Sequence, residues 1–337
     1  MSAICRFPGI PPPMLAPDRL YASRKGHDPP ARRLRTEGVM IEIRRILCPI
    51  DFSETSRNAL EHALAIAQWY ESEITVLHVD HAALLPPQPI LFAAADPEFV
   101  PDLARQTRAE EELRAWLEPR RLEVKTDVVV VQGPVAPTIL DRAKSLHADL
   151  IAMGTHGLSG FERFMLGSVT EKVLRKASCP VLTVPPLSQT AARLPYTRLL
   201  CPVDFSDSSL AALRFAFSMA QEADANLTIL HVFEWPPDDE LLTKRFDVPA
   251  YRRVIEEEAR GRLEALVPED VKVWCKPLTK VAYGKPYREI LQLAESEGAD
   301  LIVIGVRGRN PLDLTVFGST TNHVVRRASC PVLTLRE

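Results

Sequence analysis

The chain has 337 residues, enough for two domains of ordinary size, and its 25% charged and 46% hydrophobic residues match soluble globular protein. With 41 basic and 44 acidic side chains the formal net charge is −3, which argues against the global basic field that draws nucleic acid. No apolar run approaches the ~18 residues of a membrane span, and the six cysteines form neither a CxxC pair nor a dense framework; a cytoplasmic protein with reduced thiols is expected.

Residues 1–40 read as a disordered tail. Pro8, Pro11, Pro12, Pro13, Pro17, Pro29 and Pro30 break any periodicity, Arg32, Arg33 and Arg35 form a basic cluster, and no apolar core of a secretory signal is present. Met40, directly before the first strand, is the alternative start of translation. From Arg44 the pattern becomes regular. Ile46 to Asp51 predicts a buried strand, and Ser53 is the predicted cap of a helix that buries Ala59, Leu60, Ala63, Leu64 and Ala67. Ile74 to Val79 is a second, β-branched strand. Residues 81–101, with Pro86, Pro87, Pro89, Pro97 and Pro101, read as a long loop over a ligand face. Leu103 to Leu117 predicts a charged surface helix, Val124 to Val131 a third strand, and Pro137 to Leu146 a helix with its proline in the first turn.

The most informative stretch follows. An apolar run, Asp149 to Met153, leads into Gly154-Thr155-His156-Gly157, nine further residues, then Gly167-Ser168 and a helical pattern from Val169 to Lys176. A glycine loop between a strand and a helix start lets backbone approach a ligand closely, and the helix's unpaired N–H groups attract an anion such as phosphate. Cys179 to Val184 is a closing strand, and Pro185 begins a linker; the expected domain limits are 41–185, a linker over 186–196, and 197–337.

The sequence then starts again. Leu47-Cys48-Pro49-Ile50-Asp51-Phe52-Ser53 returns as Leu200-Cys201-Pro202-Val203-Asp204-Phe205-Ser206, and Ala177 to Thr183 returns residue for residue as Ala328 to Thr334. Gly305-Val306-Arg307-Gly308, nine residues and Gly318-Ser319 repeat the glycine spacing. Matching positions lie 153 apart at Asp51 and Asp204 and 151 apart at Gly154 and Gly305, so this is one internal duplication. Tight turns alone do not explain the same three-glycine spacing twice at a helix start.

Alternating strands and helices predict a doubly wound parallel sheet in each copy, with a ligand at the carboxyl ends of strands where their order reverses. Asp51 and the glycine loop then face one ligand, the carboxylate accepting from a base or sugar and the loop holding phosphates. Asp51 and Asp204 are also good helix caps, but Ser53 and Ser206 take that role, which leaves the aspartates for the ligand. His78 and His231, inside strands, are expected to bond to backbone. Cys48, Cys179, Cys201 and Cys330 are expected to be small buried hydrophobes.

With these residues in view, the chain resembles the universal stress protein family in its tandem, ATP-binding form, over about 41–184 and 197–335. The resemblance implies a five-stranded Rossmann-like α/β sheet of order 3-2-1-4-5 in each copy. It implies that Pro49, Asp51 and Val79 surround adenine and ribose, that Met153 and Gly154 line the same pocket, and that Gly157, Gly167, Ser168 and Val169 hold phosphates. In the second copy the corresponding set is Pro202, Asp204, Val232, Ile304, Gly305, Gly308, Gly318, Ser319 and Thr320. The ligand expected is ATP, with Mg2+ bridging its phosphates through ATP and water oxygens. The closing strands are expected to pair the copies within one chain, with a homodimer not required, and the output is a regulatory conformational change toward a protein partner. No HxGH or Ser-Gly-Gly signature of nucleotidyl transfer occurs, so the protein is expected to be a binder. Slow ATP hydrolysis and a module without nucleotide are the alternatives. The copies differ at the loops: Thr155-His156 against Val306-Arg307, Lys172 against His323, and Gly160 against Pro311.

Overall fold

The computed structural model describes residues 42–80, 102–117, 124–157, 166–186, 195–234, 248–306 and 317–336. The tail at 1–40, the long loop at 81–101, most of the linker and Gly308 lie outside them. The first copy contains β1 (Arg45–Ile50), α1 (Glu54–Tyr70), β2 (Glu73–Asp80), α2 (Asp102–Leu117), β3 (Thr126–Gln132), α3 (Val135–Leu146), β4 (Leu150–Gly154), α4 (Ser168–Lys176) and β5 (Val181–Val184). The second contains β6 (Arg198–Pro202), α5 (Asp207–Ala223), β7 (Asn226–Phe233), α6 (Val248–Ala265), α7 (Glu269–Trp274), β8 (Leu278–Tyr283), α8 (Pro286–Glu297), β9 (Leu301–Gly305), α9 (Ser319–Arg327) and β10 (Val332–Leu335).

Local chemistry sets the helix limits. Ser53 and Ser206 cap α1 and α5, each accepting from the backbone N–H three residues on, which satisfies a donor the helix cannot. Both helices end at a left-handed residue, Glu71 and Asp224. The α3 helix starts at Val135, two residues before the predicted Pro137, so the proline falls within its first turn, where a missing N–H is harmless.

The strands form one ten-stranded sheet of order β3-β2-β1-β4-β5-β10-β9-β6-β7-β8. Each half therefore has the 3-2-1-4-5 order, parallel within itself, and the halves join where β5 and β10 pair antiparallel with Thr183 opposite Val332 and Val181 opposite Thr334. Thr183 Oγ1 donates to the Val332 carbonyl and Thr334 Oγ1 to that of Val181, both at 3.1 Å, so each half reaches across the seam in the same way. The closing strands do pair the copies within the chain.

Helices cover both faces, as a parallel sheet requires. One apolar layer packs α1, α2, α5, α6 and α7, through residues such as Leu60, Leu113, Ala216 and Leu263. The other packs α3, α4, α8 and α9 through Ile139, Leu174, Ile290 and Val325. At the seam a void of about 10 Å³ is lined by Ile43, Ile66, Leu150 and Leu182 and by their counterparts Tyr196, Met219, Leu301 and Leu333. Polar contacts across the seam break the symmetry. His62 of α1, fully buried, bonds through Nδ1 to Tyr196 Oη of the other half at 3.0 Å, where the duplicate positions hold Phe215 and Ile43. Burial lowers the His62 pKa to about 4, keeping it neutral.

Cys48 and Cys201 are buried in β1 and β6 as expected, but Cys179 and Cys330 precede β5 and β10 instead of sitting inside them, and Cys179 is only half-buried. Burial raises the thiol pKa values, to about 11 for Cys179 and about 12 for Cys330. Among the described residues no helix is long and apolar enough to cross a membrane.

Candidate functional site

The order of strands reverses between β1 and β4, whose pairing sets Ile46 opposite Leu150 and Leu47 opposite Ile151. The crevice at their carboxyl ends is where Asp51 emerges. Asp51 Oδ1 accepts from Ser53 N at 3.1 Å and from Ser53 Oγ at 2.5 Å, while Ser53 Oγ itself accepts from Ser56 N. Ser53 caps the helix as expected, and its hydroxyl also engages the aspartate: cap and carboxylate form one small network, because a hydroxyl can accept from the helix while donating to Asp51. Asp204, Ser206 and Ser209 repeat it, with Ser206 N and Oγ 3.0 and 2.5 Å from Asp204 Oδ1.

Between aspartate and serine stands a bulky residue in left-handed backbone, Phe52 at φ 62° and Phe205 at φ 63°. Such a conformation costs on the order of 1–3 kcal/mol and persists only where surroundings enforce it. The Phe52 ring packs 4.8 Å from that of His78, and Phe205 4.8 Å from that of His231. Each histidine donates its Nδ1 proton to the carbonyl just before the aspartate, Ile50 at 2.9 Å and Val203 at 2.7 Å. The histidines are thus backbone-bonded, as expected, and they buttress the strained turn. Sequence reasoning passed over the phenylalanines, whose only signal was the repeated Asp-Phe-Ser.

The opposite wall is the glycine loop. Thr155 N donates to the Val184 carbonyl at 3.1 Å, and Gly167 N returns to the Thr155 carbonyl at 2.9 Å, so the loop leaves and re-enters at one point. Val306 and Gly318 do the same at 2.8 and 3.0 Å. The three glycines of the first loop have different tasks. A Cβ on Gly154 would lie 2.9 Å from the backbone carbon of Thr55, so this glycine serves the close packing of α1 on β4; for Gly305 the distance is 2.7 Å to Ser208. A Cβ on Gly157 would meet Asp51 Oδ2 at 2.6 Å, which brings loop and aspartate together. Gly167 and Gly318 stand at the N-caps of α4 and α9, and neither helix has a side-chain cap. Their first N–H groups, around Ser168 and Val169 and around Ser319 and Thr320, are therefore donors toward the loop mouth. Thr170 Oγ1 and Thr321 Oγ1 fix these helices to the Gly154 and Gly305 carbonyls at 2.9 and 2.8 Å.

Pro49, Pro202 and Val79 are buried at the strand ends, and Val232 is half-buried. The side chains of Met153 and Ile304, 5% exposed each, belong to the apolar layer under α4 and α9, so these positions face the crevice through their backbone. Within the first loop, His156 Nδ1 lies 2.8 Å from Thr155 Oγ1, its carbonyl accepts from Thr55 Oγ1, and its Nε2 is buried with no hydrogen-bond partner among the described residues. Among the described residues no cluster of three or more acidic, histidine or cysteine side chains could hold a metal.

The family model of the universal stress protein family matches residues 42–185 and 195–336. The chain belongs to this family. A universal stress protein of Mycolicibacterium smegmatis is 29% identical over 303 residues, covering 86% of this chain and 96% of its own. One from Methanocaldococcus jannaschii is 33% identical over 141 residues, 42% of this chain and 81% of that protein, the span of a single repeat. The crystal structure of a universal stress protein from Archaeoglobus fulgidus superposes with a TM-score of 0.59 over 87% of this chain and 98% of its own, at 24% identity, a likeness of fold.

The two universal stress protein repeats differ at their rims. Beyond Val79 the first carries Asp80 and, at the end of β3, Gln132. The second carries Phe233 and Tyr283 there, stacked at 5.7 Å, with the Tyr283 hydroxyl bonded to the Arg252 carbonyl of α6 at 3.0 Å. His323, the counterpart of exposed Lys172, stacks on Tyr287 of α8 at 4.4 Å. Arg307 and Pro311 lie outside the described residues.

Proposed function

We propose that each repeat, over 41–185 and 197–337, binds one adenine nucleotide, ATP in the first instance, and that the output is a change of conformation read by a protein partner. The observation that carries this reading is the repeated pairing of an uncapped helix N-terminus behind a pinned glycine loop with an aspartate on the facing wall. The α4 and α9 donors suit phosphate oxygens, and Asp51 and Asp204 suit the hydroxyl or amino donors at the other end of a nucleotide. Pro49 and Val79 supply an apolar floor for the base, as Pro202 and Val232 do in the second repeat, with Met153 and Ile304 contributing backbone groups beside it, while Gly157, Ser168 and Val169 take the phosphates. Mg2+ would take its ligands from phosphate and water oxygens.

Binding without dedicated catalysis fits the engagement of the site's groups: Asp51 is held by Ser53, and His78 by the Ile50 carbonyl. Because β5 and β10 pair with each other, a homodimer of this chain would use another surface. The test is thermal unfolding with and without millimolar ATP. A ligand at about 100 times its Kd stabilises the fold by ~2.7 kcal/mol, so a clear upward shift is expected in wild type and a smaller one in Gly167→Ala with Gly318→Ala. The methyl at 167 would sit 3.3 Å from the Thr155 carbonyl oxygen, tight but tolerable. No shift in wild type would end the nucleotide reading. Phosphate release at far less than one turnover per minute separates a binder from an enzyme.

A further inference from the structure

The antiparallel seam brings part of each repeat to the other's loop. With Thr183 opposite Val332, the carboxyl end of β5 lies beside the amino end of β10. Thr155, the first residue of the glycine loop, is tied to that end of β5 through Val184. The α9 helix ends at Arg327, a few residues before β10, and shares one apolar layer with α4 through Val173, Leu174, Val324 and Val325. The last turn of α9 is thus delivered to the side of the sheet that carries the first loop. In that turn Arg326 is half-buried. Its positive charge reaches His156 of the first repeat, where, after burial, it is the second influence lowering the imidazole pKa.

We propose that Arg326, although it stands on the second repeat, is a phosphate-side residue of the first repeat's nucleotide site. This rests on the nucleotide reading above and adds to it a residue from outside the repeat. A guanidinium is suited to the role because it stays charged and presents several donors to phosphate oxygens. Beside it His156, whose Nε2 has no hydrogen-bond partner among the described residues, offers a further hydrogen-bonding group. The arrangement is one-sided. The duplicate of Arg326 is Arg175, which is exposed where Arg326 is half-buried, and which pairs with Glu171 on its own helix at 3.6 Å. The first site is therefore the one strengthened from across the seam, and its affinity depends on the two repeats staying docked.

The experiment is a calorimetric titration of the full chain carrying Gly318→Val, which blocks the second loop, with ATP and separately with adenosine. Arg326→Gln is expected to weaken ATP about tenfold, the scale of one charge-assisted contact, and to leave adenosine within about twofold, because adenosine has no phosphates. Arg326→Lys should recover most of the loss, and Arg175→Gln should change neither ligand. Equal losses for ATP and adenosine, or no loss for ATP, would overturn the assignment while the nucleotide reading stands. Failure of the parent protein to bind either ligand would remove both. Arg326→Met, neutral and of similar length, carries the same comparison should the Gln variant not fold.

Discussion

Replacing Gly154 by alanine tests the claim that this glycine is demanded by packing. The added methyl would lie 2.9 Å from both the backbone carbon and the Cβ of Thr55 and 3.0 Å from its carbonyl oxygen. Ordinary carbon contacts lie at about 3.5–4.0 Å, so strand and helix must separate by roughly half an ångström or more. Thr55 cannot step aside alone: it sits in the capped first turn of α1, and its Oγ1 lies 2.9 Å from Ser53 Oγ and donates to the His156 carbonyl. Overpacking of this kind costs about 1–3 kcal/mol, which for a chain of this size lowers Tm by about 1.5–5 °C. Because Thr55 also anchors His156, nucleotide affinity should fall with it. The assay is calorimetric melting of nucleotide-stripped protein beside Gly261→Ala. That control lies inside α6 with nothing near its added methyl, so it should gain about 0.5–1 kcal/mol. A Gly154→Ala protein that melts with wild type would refute the packing argument.

Two further outcomes follow from the geometry. The His62 imidazole stays neutral to about pH 4 in the fold but protonates near 6.5 when unfolded. Between those values the unfolded chain takes up a proton that the native one does not, so its share of stability is intact above pH 6.5 and is lost as pH falls. From pH 7 to pH 5 that loss is about 2 kcal/mol, and urea unfolding of His62→Gln should show a slope smaller by this amount; equal slopes would contradict it. Ser53→Ala removes the α1 cap and the hydroxyl donor to Asp51, and should cost about 1 kcal/mol together with a several-fold loss of ATP affinity; urea unfolding and calorimetric titration measure the two parts, and a loss of neither would count against the shared network.

What could be read from the residues was what they do locally or do twice. Serine caps at 53 and 206, the glycine spacing and the duplicated Cys-Pro strands each carry their own chemistry, and the duplication located the second repeat without any knowledge of its packing. The order of strands came through resemblance and is seen in both halves. What stayed hidden depends on partners far away in the chain. The reason for Gly154 lies in Thr55, the left-handed turn at Phe52 is sustained by His78 on the next strand, and Asp51 proved to share its carboxylate with Ser53. The aromatic rim of the second repeat needs Phe233 and Tyr283 to be neighbours, which only the β7–β8 pairing provides. Arg326 was unremarkable as the end of a basic helix until the antiparallel seam set it near a loop about 170 residues earlier in the sequence.

The central claim is that this universal stress protein holds adenine nucleotide at its glycine loops. The most direct measurement is equilibrium binding of labelled ATP to chain purified under denaturing conditions, refolded and free of nucleotide. Saturable binding is predicted, displaced by unlabelled ATP and abolished when Gly167 and Gly318 are both replaced by valine. No saturation at millimolar ATP, or equal binding by the double variant, would contradict it.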